Sequence, residues 1–261
     1  MHFTADFFAH QFLWTLTFAA QLVLLATLLG RDRARRYPWF TASIALMALQ
    51  LMAGVLLSGR LAMFLLQELM TALADIAVIV GLLVLVEVAR RAFAGLQRTQ
   101  WILNTAGLLV VALGLLLVWS PWPIWKNLAV GTLLGNLRLM QLVAQKGDTL
   151  VNLLAVGVGL MVVLFGRRFQ AGWRSHTQMI VIGLAVVAIN WLAIQQTWLI
   201  LLRSAHFQSQ QQMLSFGSNL MTANKAVSLA ALIWWIVWLW RDEPGTQETP
   251  ADETATEQRE S

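Results

Sequence analysis

Glu68, Thr71 and Asp75 stand at i, i+3 and i+7, a spacing that puts all three on one face of a helix. Asn224, Lys225 and Ser228 make a second polar stripe far along the chain. Two acids on one helix and a lysine on another can form a buried ion pair, hold a polar solute or relay a proton. All six lie in otherwise apolar stretches. There a charged side chain costs roughly 2.5–3.5 kcal/mol at mid-helix and needs a partner or a purpose. Gln50, Asn152, Asn190, Gln195 and Gln196 fall at similar depths in other apolar stretches. The sequence predicts a polar pocket of Glu68, Thr71, Asp75, Asn152, Asn190, Gln195, Asn224, Lys225 and Ser228, with Lys225 paired to Asp75 or Glu68 at its floor. The competing reading is interhelical glue, at about 0.6 kcal/mol per contact; glue, however, does not require charge.

The elements that must hold such a pocket follow from composition. The 261 residues are 58% hydrophobic and 12% charged, with a mean hydropathy of +0.66. A soluble domain carries about a quarter charged residues, so the low value points to a lipid solvent. A crossing helix needs ~20 apolar residues for a ~30 Å hydrocarbon layer. Seven stretches qualify, at about 12–30, 39–58, 64–89, 101–119, 148–166, 176–202 and 219–240. The expected fold is all-α, a polytopic membrane protein of seven transmembrane helices forming one domain over residues 1–240. Residues 1–11 contain no Lys or Arg and no small-residue cleavage site follows, so the first stretch reads as a retained helix. Residues 120–147 open on Pro121 and Pro123 and are interrupted by Lys126, Arg138 and Lys146. They are expected to lie on the outer interface as an amphipathic segment, with Gly147 and Asp148 ending it and capping the fifth span. The glutamine-rich stretch from Ser204 to Asn219 reads as a solvated outer loop. Residues 241–261, with seven acids against two bases, read as a disordered acidic cytoplasmic tail.

Arginine sets the expected orientation, because bases flanking a span stay on the cytoplasmic side during insertion. Arg31, Arg33, Arg35 and Arg36 follow the first span; Arg90, Arg91 and Arg98 follow the third; Arg167, Arg168 and Arg174 follow the fifth; Arg241 follows the seventh. Eleven bases thus fall on one side against five on the other. The expected topology is N-terminus out and C-terminus in, which turns the polar pocket outward. Ten of the thirteen tryptophans fall near the predicted span ends, where an amphipathic ring prefers to sit. Tyr37-Pro38 reads as a helix start.

Other chemistries find little support. There is no cysteine, which removes disulfides and thiolate chemistry. His2, His10, His176 and His206 do not pair at metal or haem spacing within a span, so neither a metal nor a cofactor is expected. Ser218 after Gly217 lacks the fixed, dry setting a nucleophile requires. No phosphate-binding glycine loop or metalloprotease helix occurs, and no catalytic residue is assigned. Lys225 facing an acid suggests a retinal Schiff base, yet it lies only ~9 Å into its helix, too shallow for a mid-membrane chromophore. The bases sit in short loops between apolar spans, so nucleic acid is not an expected partner.

The motifs "RRYPWF" before the second span, "GWRSH" from Gly172 to His176 before the sixth, and Lys225 followed by "LIWW" in the seventh resemble a group of uncharacterised bacterial seven-helix inner-membrane proteins. The resemblance covers most of residues 10–240. It implies the topology and a bacterial inner-membrane location, and adds no reaction. The architecture is similar, more loosely, to the seven-helix sensor modules of bacterial signalling kinases, although no output domain follows Arg241. The expected role is a receptor-like or accessory sensor: the bilayer around it, a small-molecule ligand in the outward pocket, and a protein partner at the cytoplasmic face. The alternatives are a small-solute or proton-coupled transporter and a structural subunit of a membrane complex. A transporter needs an inward route as well, and the first, fourth and fifth spans offer few polar groups in their inner halves.

Overall fold

The computed structural model describes residues 2–93, Gly107, Gly114, 133–166, 175–203 and 209–241, with side chains except those of 2–11, 133, 165–166 and 202–203. Among the described residues there are seven helices and no strands, and six helices are long and apolar enough to cross a membrane. They are α1 (His2–Gly30), the short α2 (Arg33–Arg36), α3 (Pro38–Leu57), α4 (Met63–Ala92), α5 (Leu133–Gly166), α6 (His176–Arg203) and α7 (Gln210–Trp240). The predicted spans at 12–30, 64–89, 176–202 and 219–240 fall within helices, and that at 39–58 does so up to Leu57. The span expected at 101–119 lies outside the described residues except for Gly107 and Gly114, both helical. Residues 120–132 and the tail from 242 also lie outside them.

Two expected boundaries are corrected. Helix α5 runs unbroken through Gly147 and Asp148, so no break separates an interfacial segment from the fifth span. The glycine serves packing there: a Cβ on Gly147 would collide with the Val78 side chain of α4. Asp148 caps nothing; its carboxylate accepts the Trp191 indole N–H at 2.5 Å. The start of α7 likewise lies nine residues before the expected one. Ser209 is its N-cap, and its hydroxyl accepts the Gln212 amide N–H at 3.2 Å, so the glutamine run forms the first turn.

The six long helices close a ring in the order α1, α3, α4, α5, α6, α7, with α4 also touching α6 across the middle. Neighbours are antiparallel around most of it. Gln50 of α3 donates to the Leu73 carbonyl of α4, and Asn190 of α6 to Asn224 of α7. Helices α4 and α5 are parallel, with Val78 against Gly147 and Val151 against Gly81. Ala92 and Leu133 therefore lie at opposite ends of the ring. Helix α6 is the central element: 50% of its apolar stretch is buried, against 17–22% in the others.

The buried core gathers at one end. Leu24 and Leu28 of α1, Phe40 and Ile44 of α3, Val84 and Val88 of α4, Ile180 of α6, and Leu232, Trp235 and Leu239 of α7 form one cluster. All are residues near the helix ends that carry Arg31–Arg36, Arg90, Arg91 and Arg241. In lipid no water is expelled when helices meet, so packing and hydrogen bonds decide where a bundle is tight. Here the arginine end is tight.

Candidate functional site

The arginine end holds a buried polar junction. Pro38 starts α3 and has no amide hydrogen, which leaves the Trp39 and Phe40 amides as the donors without an intrahelical acceptor, since the Thr41 amide already reaches the Tyr37 carbonyl at 3.0 Å. Both are taken by one atom: Oε2 of Glu87, on α4, accepts each at 3.2 Å. The start of α3 is thus capped from another helix, and the carboxylate meets the positive end of the helix dipole. Glu87 is buried, its side chain 6% exposed, with Arg91 4.0 Å from its other oxygen.

Tyr37, the one tyrosine of the chain, is fully buried beside this cap. Its hydroxyl pairs with Thr177 Oγ1 at 2.7 Å, tying the start of α3 to the start of α6. The Arg91 and Arg36 guanidinium groups lie 5.1 and 5.8 Å from the centre of its ring, within cation–π range. Next to it, His176 opens α6 at 2% exposure. Arg33 of α2 contacts the imidazole at Nδ1 and, at 2.9 Å, at Nε2. The Arg241 backbone carbonyl, which ends α7, accepts from Arg33 Nη2 at 2.7 Å and stands 3.0 Å from His176 Nε2. Three segments distant in sequence are therefore held by one arginine and one histidine. Arg31 adds a cation–π contact, 5.2 Å from the Trp240 ring centre.

One packing contact locks α6 to α7 below the junction. Gly183 lies against the Trp235 indole so closely that a Cβ would overlap Nε1, and Trp235 in turn meets Phe40 edge-on at 5.2 Å between centroids. At the other end of the same two helices lies a cavity of about 340 Å³. Trp191, Ile194, Gln195 and Trp198 of α6 wall one side, and Met213 and Leu214 are among those of α7 on the other. The walls are almost wholly apolar.

The residues of the predicted pocket do not join across the ring. Glu68 is exposed. Thr71 donates to the Gln67 carbonyl of its own helix and Asn152 to that of Asp148. Asn190 and Asn224 bond to each other at 2.8 Å, and Gln195 lines the α6–α7 cavity. Asp75, Lys225 and Ser228 are half-buried, and Asp75 Oδ1 has no hydrogen-bond partner among the described residues. Asp75 Oδ1 does not reach Lys225, and α4 and α7 stand on opposite sides of the ring. Losses from Lys225→Met and Asp75→Asn should therefore add in the double variant. A melting temperature for the double variant above that of Lys225→Met alone would restore the pair.

Six of the nine arginines expected to set topology, Arg31, Arg33, Arg35, Arg36, Arg90 and Arg91, are described and lie at one end. Arg167, Arg168 and Arg174 lie outside the described residues. Sequence reading missed Glu87, Thr177 and the Asp148–Trp191 bond. The signal for Glu87 was present: an acid four residues before Arg91 at the end of an apolar run, opposite a helix that starts with proline. No group of three or more metal-ligating side chains is found among the described residues. Comparison with protein families, with curated proteins and with solved structures returned no match, so the likeness to the bacterial seven-helix group rests on its short motifs alone.

Proposed function

We propose that the protein is a receptor-like membrane protein without catalytic activity, in which a small apolar molecule between α6 and α7 is sensed at the buried arginine junction. The observation that carries this reading is that the same two helices wall the cavity and form the junction. Trp191, Trp198 and Met213 line the one; His176 and the Arg241 carbonyl make the other. Between them Asn190–Asn224 and Gly183–Trp235 hold the pair together, so a change in helix separation at the cavity reaches the arginine end without an intervening loop. A cytoplasmic partner protein reads the outcome.

The orientation belongs to the same proposal. The chain crosses a bacterial inner membrane seven times, N-terminus out and arginine end in, as the excess of bases on that side favours. The parallel course of α4 and α5 supports a further crossing at 101–119, since Ala92 and Leu133 lie at opposite ends. Gly114, which is buried with Leu150 where its Cβ would stand, supports it too.

The test uses indole and medium-chain alkanols as probes. Indole should raise the melting temperature of the wild type and leave a cavity-filling Ser218→Phe variant unchanged. It should also slow amide exchange at residues 176–180 and 237–241. Equal shifts in both proteins, or no shift with any probe, overturn the binding site. Slowed exchange confined to the cavity leaves a binding site but ends the sensing role.

A further inference from the structure

The outer face of α4 leads to a second site, independent of the α6–α7 cavity. Ile76, Ile79, Leu83 and Val86 follow one another by three or four residues, and Arg90 continues the series, so all five share one face. Ile76, Ile79 and Val86 are 48, 58 and 54% exposed, which marks a lipid-facing stripe rather than a helix contact. At its arginine end Pro38 and Trp39 of α3 meet Val86, Glu87, Arg90 and Arg91 around an open cleft of about 570 Å³. Trp39 is 43% exposed there.

The charges in this cleft are unequal in their availability. Glu87 turns inward onto the α3 amides and is buried, so its carboxylate is already held by two amide donors and the nearby Arg91 guanidinium. Arg91 keeps 38% of its side chain exposed while contacting Glu87 and Tyr37. Arg90 is exposed and makes no hydrogen bond or ion pair among the described residues. Two arginine side chains thus line the cleft at the end of an apolar stripe. Guanidinium pairs with phosphate oxygens in a two-pronged geometry, and a basic site at the end of a membrane helix lies at headgroup depth.

We propose that this cleft binds an anionic phospholipid, its phosphodiester held by Arg90 and Arg91 and one acyl chain laid along Val86, Leu83 and Ile79. Trp39 covers the glycerol region from α3. A zwitterionic lipid fits less well, because its ammonium group is carried toward the two arginines.

The full-length protein is examined by native mass spectrometry after equilibration with phosphatidylglycerol or phosphatidylcholine. The wild type should retain one phosphatidylglycerol in preference to phosphatidylcholine. Arg90→Gln breaks no internal bond and should reduce retention about fivefold, the effect of one basic residue at an anionic surface. Arg91→Gln should reduce it as well. Arg35→Gln, a residue 87% exposed on α2, should leave it unchanged. Full retention by Arg90→Gln, equal retention of both lipids, or an equal loss in Arg35→Gln overturns the proposal. Displacement of the lipid by inorganic phosphate at the same concentration also overturns it, in favour of a free-phosphate site.

Discussion

Glu87→Ala should destabilise the protein more than any other single substitution at the arginine end. The change removes the one acceptor that the Trp39 and Phe40 amides have among the described residues, both bonded to Oε2 at 3.2 Å, and Phe40 is fully buried. An unpaired buried donor costs about 1–3 kcal/mol, which applies to Phe40; Trp39, 43% exposed, adds less. Glu87→Gln keeps a carbonyl oxygen in place and loses the charge that meets the helix dipole; its loss should be about half as large. Thermal unfolding in detergent, with exposed Glu68→Ala as reference, measures both. If Glu87→Ala melts within a degree of the reference, α3 is not capped from α4.

Gly183→Ala is the second large effect, and it comes from adding atoms. A methyl group at this position overlaps Nε1, Cε2 and Cζ2 of Trp235, a rigid ring that is itself fixed by Phe40. Overpacking a tight core costs about 1–3 kcal/mol. Because α6 is the most buried helix, it has little freedom to move aside. Trp235→Phe takes away the pyrrole edge that the methyl would strike, so the double variant Gly183→Ala/Trp235→Phe should be more stable than the sum of the single losses implies. Strict additivity in melting temperature shows that the two positions do not touch.

The helices were legible because apolar length and tryptophan position are local properties. Five of the expected spans coincide with described helices, apart from the starts of α1 and α7. Gly147 and the glutamines after Ser209 look like breaks in isolation, and only the neighbouring α4 and the Ser209 cap make them helical. The polar junction at the arginine end escaped the sequence reading for a related reason. Mid-span polar residues draw the eye because charge is costly in lipid, yet Asp75 and Lys225 sit on helices at opposite sides of the ring. Which helices touch is set by ring order, and nothing in the spacing of Glu68, Thr71 and Asp75 encodes it. The residues that do meet, Arg33, Tyr37, Glu87, His176 and Thr177, sit at span ends, where polar side chains attract no notice. "RRYPWF" and the histidine of "GWRSH" nevertheless mark two sides of that junction.

The cap on α3 has a bearing on biogenesis. When α3 enters the bilayer, the amides of Trp39 and Phe40 have no acceptor in their own helix, and the one they use is 47 residues downstream of Phe40. Until the ribosome delivers that carboxylate, only interfacial water or headgroups can serve. The start of α3 is thus complete only once α4 stands beside it.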